Sequence, residues 1–203
     1  MCSSDLEVDR ALVRWSRRAL PAGLGAHLVD GRLVLVSPDG GLATWDAASG
    51  APGQTWNLGI HPVGDLSAAG TRVLVHGDDG RVQLVDLRTG PGPIWEGHAG
   101  PVLASAWSPD QRLVATAGRD RIVRIRAVGD GTVLAEIPAH DADVWGMAWS
   151  PDGRWLVTTS ADRRVGTWDL ALLERSGPEA LTEVEARTGA RLDGAAVVAS
   201  GSR

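Results

Sequence analysis

The apolar positions of this chain fall into short runs, not helical stripes. LVLVS from Leu33, RVLVHG from Arg72, RLVATAG from Arg112 and RWLVTTS from Arg154 are rich in Val, Leu, Trp and Thr. Each is bounded by Pro-Asp-Gly, Asp-Gly or Gly-Asp, the combinations that close tight turns. Short runs of this composition with such punctuation predict strands, and no helical period competes with them before residue 170.

The strands recur in register. AWSPDQRLVATAGRD from Ala106 and AWSPDGRWLVTTSAD from Ala148 align without a gap at an offset of 148 − 106 = 42. DRALVRWS, DGGLATWD, DGRVQLVD, DRIVRIRA and DRRVGTWD extend the pattern from Asp9, Asp39, Asp79, Asp120 and Asp162, with spacings of 30, 40, 41 and 42. A period of roughly 40 residues marks a repeat architecture, and four strands per period fit an antiparallel sheet that cannot bury both faces alone.

Beyond the repeat, DLALLERSGPEALTEVEARTGARLDGAAVVAS changes character. Pro178 at a first helical position, Glu179 in the first turn and Gly189 as a cap predict a short amphipathic helix over 178–188. RLDGAAVVAS is left either as a strand or as a loose tail.

Composition excludes several function classes. The 203 residues carry a net charge of −5 and 43% hydrophobic residues, a soluble globular composition without the concentrated basic face of a nucleic-acid binder. No apolar run is long enough to span a bilayer, and no secretory leader is visible. The lone Cys2 leaves no disulfide framework or multi-cysteine metal site. No cofactor or metal is expected. All basic residues are Arg and Ala and Gly abound, a GC-rich codon bias that points to a bacterial gene. MCSSDL at residues 1–6 resembles a translated sequencing adapter, so natural sequence is expected to begin near Glu7.

The pair Gly97-His98, the AWSPD motif, the turn residues Asp120 and Asp162, and the Trp-Asp pairs 45–46 and 168–169 resemble the WD40 repeat of β-propellers. The resemblance covers roughly residues 9–170 and is most specific in the last two units. It implies an all-β fold: a partial β-propeller of about four four-stranded antiparallel blades over residues 7–170, followed by the helix and tail at 171–203. In the third full unit strands a to d are placed near Val102–Ser108, Leu113–Gly118, Ile122–Ala127 and Val133–Pro138. The final unit has a, b and c without an evident d. The chain therefore reads as the C-terminal blades of a ring of roughly six to eight, its N-terminal blades belonging to a longer parent. An open ring exposes two blade faces, which predicts association.

The same resemblance implies a structural hydrogen-bond network of His, hydroxyl, Asp and Trp in each unit. The last unit has His140, Thr158 (or Ser160), Asp162 and Trp168; the one before has His98, Thr116 and Asp120, with Arg126 in place of Trp. These sets resemble a hydrolase triad, but they recur with the repeat, which favours a structural role. Trp107 and Trp149 are read as inter-blade core. The loops beside the turn Asp carry Arg119, Arg121, Arg163, Arg164, Glu96, Asp141 and Asp143: either a surface for an acidic peptide or phosphate, or a solvated rim of Arg–Asp pairs.

The resulting expectation is a non-enzymatic WD40 scaffold that binds a protein or peptide, cytoplasmic by default, in a larger bacterial regulatory or signalling protein. TWDAASGAPGQTW and VDLRTGPGPIW also resemble the repeat of quinoprotein-like propellers, which supplies the alternative of a quinone enzyme or envelope assembly scaffold.

Overall fold

The structure, a computed structural model, describes residues 25–62, 67–171, 191–193 and 196–198. The adapter-like segment, the unit at Asp9 and the helix expected over 178–188 lie outside the described residues.

Four antiparallel meanders follow one another along the chain. The first holds β1 (Gly25–Val29), β2 (Arg32–Val36), β3 (Gly41–Asp46) and β4 (Pro52–Asn57). The second holds β5 (Ser67–Ala69), β6 (Arg72–His76), β7 (Val82–Asp86) and β8 (Gly90–Trp95), and the third β9 (Val102–Trp107), β10 (Leu113–Gly118), β11 (Ile122–Ala127) and β12 (Val133–Pro138). The fourth has three strands, β13 (Val144–Trp149), β14 (Trp155–Ser160) and β15 (Val165–Asp169). Two further strands, β16 (Arg191–Asp193) and β17 (Ala196–Val198), pair together, and β17 joins the edge of the third sheet through Glu136 and Val198. RLDGAAVVAS thus adds strands. Among the described residues there is no helix.

The first strands of successive sheets are neighbours, β1 with β5, β5 with β9 and β9 with β13, so the sheets face one another like blades around an axis. Each apolar cluster fills one junction. Val34, Val36 and Leu42 meet Val73, Val75 and Val85 between the first two sheets. Leu74, Val82 and Trp95 meet Val102 and Val114 at the second junction. Ala115, Ala117, Val123 and Ile125 meet Val144, Leu156 and Leu170 at the third. The unbroken apolar run RVLVH is explained by this packing: Val73 and Val75 point to one neighbour, Leu74 to the other, and all three are buried.

Turn chemistry fixes the register. In AWSPD, Ser108 Oγ donates to Asp110 at 2.6 Å and accepts from Leu113 N at 2.9 Å, while Asp110 accepts from Arg112 N at 3.0 Å. Ser150, Asp152, Arg154 and Trp155 repeat the arrangement. Among the described residues, the one after each in-phase turn Asp is left-handed: Gly40 at φ 87°, Gly80 at 82°, Arg121 at 66° and Arg163 at 67°. Glycine suits that conformation without steric penalty; arginine does not.

Candidate functional site

In the fourth sheet, His140 from the loop before β13 lies between two partners. Its Nδ1 is 2.9 Å from Asp162 Oδ2 and its Nε2 2.8 Å from Thr158 Oγ1, which also accepts from Trp168 Nε1 at 3.0 Å. Asp162 receives the backbone N–H groups of Asp141 at 3.1 Å and Arg164 at 2.8 Å. Burial pushes the Asp162 carboxyl up, but the N–H of Arg164 and the His140 hydrogen bond outweigh it and bring the pKa down to about 2. Ser160 stands outside this network: it donates to Ala142 O at 3.1 Å and accepts from Asp162 N at 3.1 Å, so Thr158 is the hydroxyl His140 meets.

The third sheet repeats the first part of this set. His98 Nδ1 lies 2.9 Å from Asp120 Oδ2, and Nε2 lies 2.8 Å from Thr116 Oγ1. Burial, aided by Arg124 and Arg126, pushes the His98 imidazole below its ordinary value against the opposing pull of Asp120. Both nitrogens of the neutral ring have partners: Nδ1 faces the Asp120 carboxylate and, at 2.7 Å, Arg124 Nη1, and Nε2 faces the Thr116 hydroxyl. Burial pushes Asp120 up, but hydrogen bonds from His98 and Arg124 hold its carboxyl well below the usual range.

Arg124 was not among the residues the sequence singled out. Its Nη1 donates to Asp120 at 2.6 Å and its Nε to Glu136 on β12 at 2.6 Å, and the side chain is buried. Arg126, also buried, donates to the carbonyls of Gly131 at 3.0 Å and of Glu96. The register explains the exchange. Thr116 pairs with Arg124 and Val114 with Arg126, as Thr158 pairs with Gly166 and Leu156 with Trp168. A Cβ on Gly166 would fall 2.9 Å from the Trp168 ring and 2.7 Å from Thr158 Oγ1. The indole therefore reaches Thr158 only across a glycine, and with Arg124 at that place the neighbouring position carries a guanidinium instead. The signal was present in DRIVRIRA, where two Arg two residues apart share one face of a strand.

The same register removes the network from the first two sheets. Leu35 and Val75 occupy the hydroxyl position, paired with Ala43 and Gln83. The recurrence of apolar substitutes at these places is what a structural clasp tolerates and a catalytic set does not.

The rim residues lie on the loops at the turn-Asp end. Arg119 Nε on the third sheet is 3.6 Å from Asp143 at the start of the fourth, Arg164 Nη1 is 2.9 Å from Asp141 in the loop before β13, and Arg121 and Arg163 are exposed. Trp149 Nε1 donates to Ala106 O at 3.2 Å across the third junction, and Trp107 lies under Arg72, 5.4 Å from ring centroid to guanidinium carbon. A separate cleft of about 490 Å³ between the first two sheets is lined by Arg32, Thr44, Trp45, Gln54 and Arg88 and shares no residue with either network.

Residues 91–126 and 131–169 match the family model described as WD domain, G-beta repeat. These two segments resemble WD40 repeats. The second matched segment runs from β12 through β15, so a repeat joins the outer strand of one sheet to three strands of the next. WD repeat-containing protein SL1-17 of Schistosoma mansoni is 39% identical over 56 residues, 28% of this chain and 19% of that protein. Restriction of telomere capping protein 1 of Lodderomyces elongisporus is 28% identical over 138 residues, 59% of this chain and 11% of that protein. The crystal structure of the WD40 beta propeller domain of Doa1 superposes with a TM-score of 0.63 at 22% identity, covering 73% of this chain and 51% of that one. The chain thus spans about half of that solved propeller and under a fifth of the curated relatives.

The segments that resembled a quinoprotein repeat span the β3–β4 and β7–β8 hairpins of this fold. Asp46 accepts from Ser49 N at 2.7 Å between β3 and β4, and Asp86 from Arg88 N at 2.8 Å between β7 and β8. Closing a short turn accounts for the Asp and Gly of both motifs.

Proposed function

We propose that this chain is a non-enzymatic scaffold whose WD40 sheets present the arginine rim to an acidic segment of a protein partner. The observation that carries this reading is backbone strain at the rim. Arg121 and Arg163 hold the left-handed conformation that Gly40 and Gly80 adopt at the same turn position. A non-glycine residue there costs on the order of 1 kcal/mol, and such strain concentrates where a side chain has work to do. Arg119 and Arg164 beside them are tethered to Asp143 and Asp141, which leaves the Arg121 and Arg163 forks as the ones aimed outward for bidentate carboxylate or phosphate contacts.

The finer setting is a longer bacterial regulatory or signalling protein of the cytoplasm, with further blades of its own. Its support is the arginine-only, GC-rich composition and the part-length match to the relatives above.

The test is fluorescence anisotropy with a labelled glutamate-rich peptide and its phosphoserine counterpart. Arg121→Gly combined with Arg163→Gly is expected to weaken binding by about tenfold or more while leaving the melting temperature unchanged or raised. Equal binding by the double variant, or no binding by the parent chain, overturns the reading.

A further inference from the structure

The junction between the first and second sheets is not filled as the other two are. At the second junction Arg72, which opens β6, lies over the Trp107 ring, and its Nη2 donates to Gln111 O at 3.3 Å. At the third, Leu113 opens β10 and packs beside Trp149. Trp107 pairs with Val114 and Trp149 with Leu156, but at that register of the second sheet Ala68 pairs with Val73. Arg32 opens β2 and pairs with Asp46 as Arg72 does with Asp86, so it finds alanine where the other junctions have tryptophan. The cleft of about 490 Å³ lies beside it, against about 200 Å³ for the crevice beside Leu113 and Trp149. Small-molecule sites typically have volumes of roughly 300–1,000 Å³.

The charge of the cleft is set by two arginines from different sheets. Arg32 is half-buried, and its hydrogen bond runs from Nη1 to Leu87 O at 3.2 Å. The neighbouring carboxylates are engaged elsewhere. Asp46 is closed onto its own turn, accepting from Ser49 N at 2.7 Å and Ser49 Oγ at 2.6 Å. Asp86 accepts from Arg88 N at 2.8 Å, and Asp30 stands 3.8 Å from the Arg88 guanidinium in an exposed pair. Among the described residues no carboxylate pairs with Arg32, so its Nε and Nη2 donors are left for the cleft that it lines. Arg88 lines the same cleft from the second sheet. A half-buried guanidinium held by one carbonyl keeps most of its charge and donors for an anion.

We propose that this cleft binds a compact organic anion, a small molecule whose carboxylate or phosphate is held between Arg32 and Arg88 by forked hydrogen bonds. The volume is larger than an inorganic ion needs, which leaves room for the rest of the molecule between the sheets. The cleft is lined from the start of β2 and the β3–β4 turn, at the opposite end of these strands from the turn Asp39. The proposal is independent of the arginine rim.

Isothermal titration of the full chain with phosphoserine and with citrate, each against sodium chloride at matched ionic strength, tests it. Saturable one-to-one binding of at least one of them is expected, and the tighter of the two separates phosphate from carboxylate recognition. Arg32→Gln should weaken binding by about tenfold or more, and Arg32→Lys, which keeps the charge without the fork, should recover only part of it. Circular dichroism verifies that each variant folds. Ala68→Trp, which restores tryptophan at the register of Trp107, supplies a second probe should Arg32→Gln fail to fold, and it should likewise weaken binding by about tenfold or more by closing the cleft. No saturable binding of either anion, or binding that the folded variant leaves intact, overturns the proposal. Binding that is lost instead in the Arg121→Gly, Arg163→Gly double variant assigns the anion to the rim and overturns it as well.

Discussion

Thr158→Val replaces the central atom of the fourth-sheet network with a methyl of the same shape. Thr158 is fully buried, and its Oγ1 lies 2.8 Å from His140 Nε2 and 3.0 Å from Trp168 Nε1. No cavity forms, so the whole effect comes from two partners left without a hydrogen bond, the buried His140 side chain and the half-buried Trp168 indole, each worth about 1–3 kcal/mol. The indole belongs at the low end of that range, because the buried Nε1 atoms of Trp95 and Trp107 already lack partners. The expected loss is therefore about 2–4 kcal/mol, which at about 2–4 °C per kcal/mol for a chain of this size lowers the melting temperature by roughly 4–16 °C. Urea unfolding followed by circular dichroism measures it as a shift in midpoint at constant slope. Thr158→Ser keeps the hydroxyl and should recover most of the loss. Thr159→Val, on the opposite exposed face, should stay within about 0.5 kcal/mol of the parent. If Thr158→Val is as stable as Thr159→Val, the network does not hold the sheet together and the reading of these residues as a clasp fails.

Acid should weaken the fold in two stages. The carboxyls of Asp120 and Asp162 are held below their unfolded value, so their contribution is present above the ordinary pKa of 3.8 and is lost as pH falls, for Asp162 toward about 2. The His98 pKa is also lowered, so the unfolded chain takes up that proton first and stability begins to fall below the ordinary value of 6.5. Urea midpoints measured between pH 7 and pH 3 should decline throughout, and a flat profile would contradict the assignment of neutral His98. Gly166→Ala should destabilise by about 1–3 kcal/mol because the new Cβ meets the Trp168 ring, whereas Gly129→Ala, with nothing within 4 Å, should be near neutral; equal melting temperatures for the two would rule out the indole-over-glycine packing.

The repeat, the strands and their order were legible because each sheet is built from local signals. Ser-Pro-Asp closes one turn, Asp followed by a left-handed residue closes another, and a two-residue period assigns alternate side chains to opposite neighbours. The third sheet shows how far this goes: β10, β11 and β12 begin and end where the sequence placed them, and β9 stops at Trp107, one residue earlier than expected. Even the hydroxyl partner of His140 was narrowed to Thr158 or Ser160, two residues on one strand that only the coordinates separate.

Other features depend on contacts between residues distant in the chain. Arg124 joins His98, Asp120 and Glu136 because β9 to β12 fold side by side; the paired arginines of DRIVRIRA mark the position, but His98 and Glu136 reach it only on folding. Whether a valine is core or surface is likewise decided by what faces it: Val123 is fully buried and Val165 is largely exposed, though both occupy one register position. The sequence by itself determined the periodic backbone, since turn geometry and side-chain alternation act within a few residues. The tertiary structure alone decided which charged groups are paired and which apolar faces stay open, since burial and electrostatics are set by neighbours that the chain brings together only on folding.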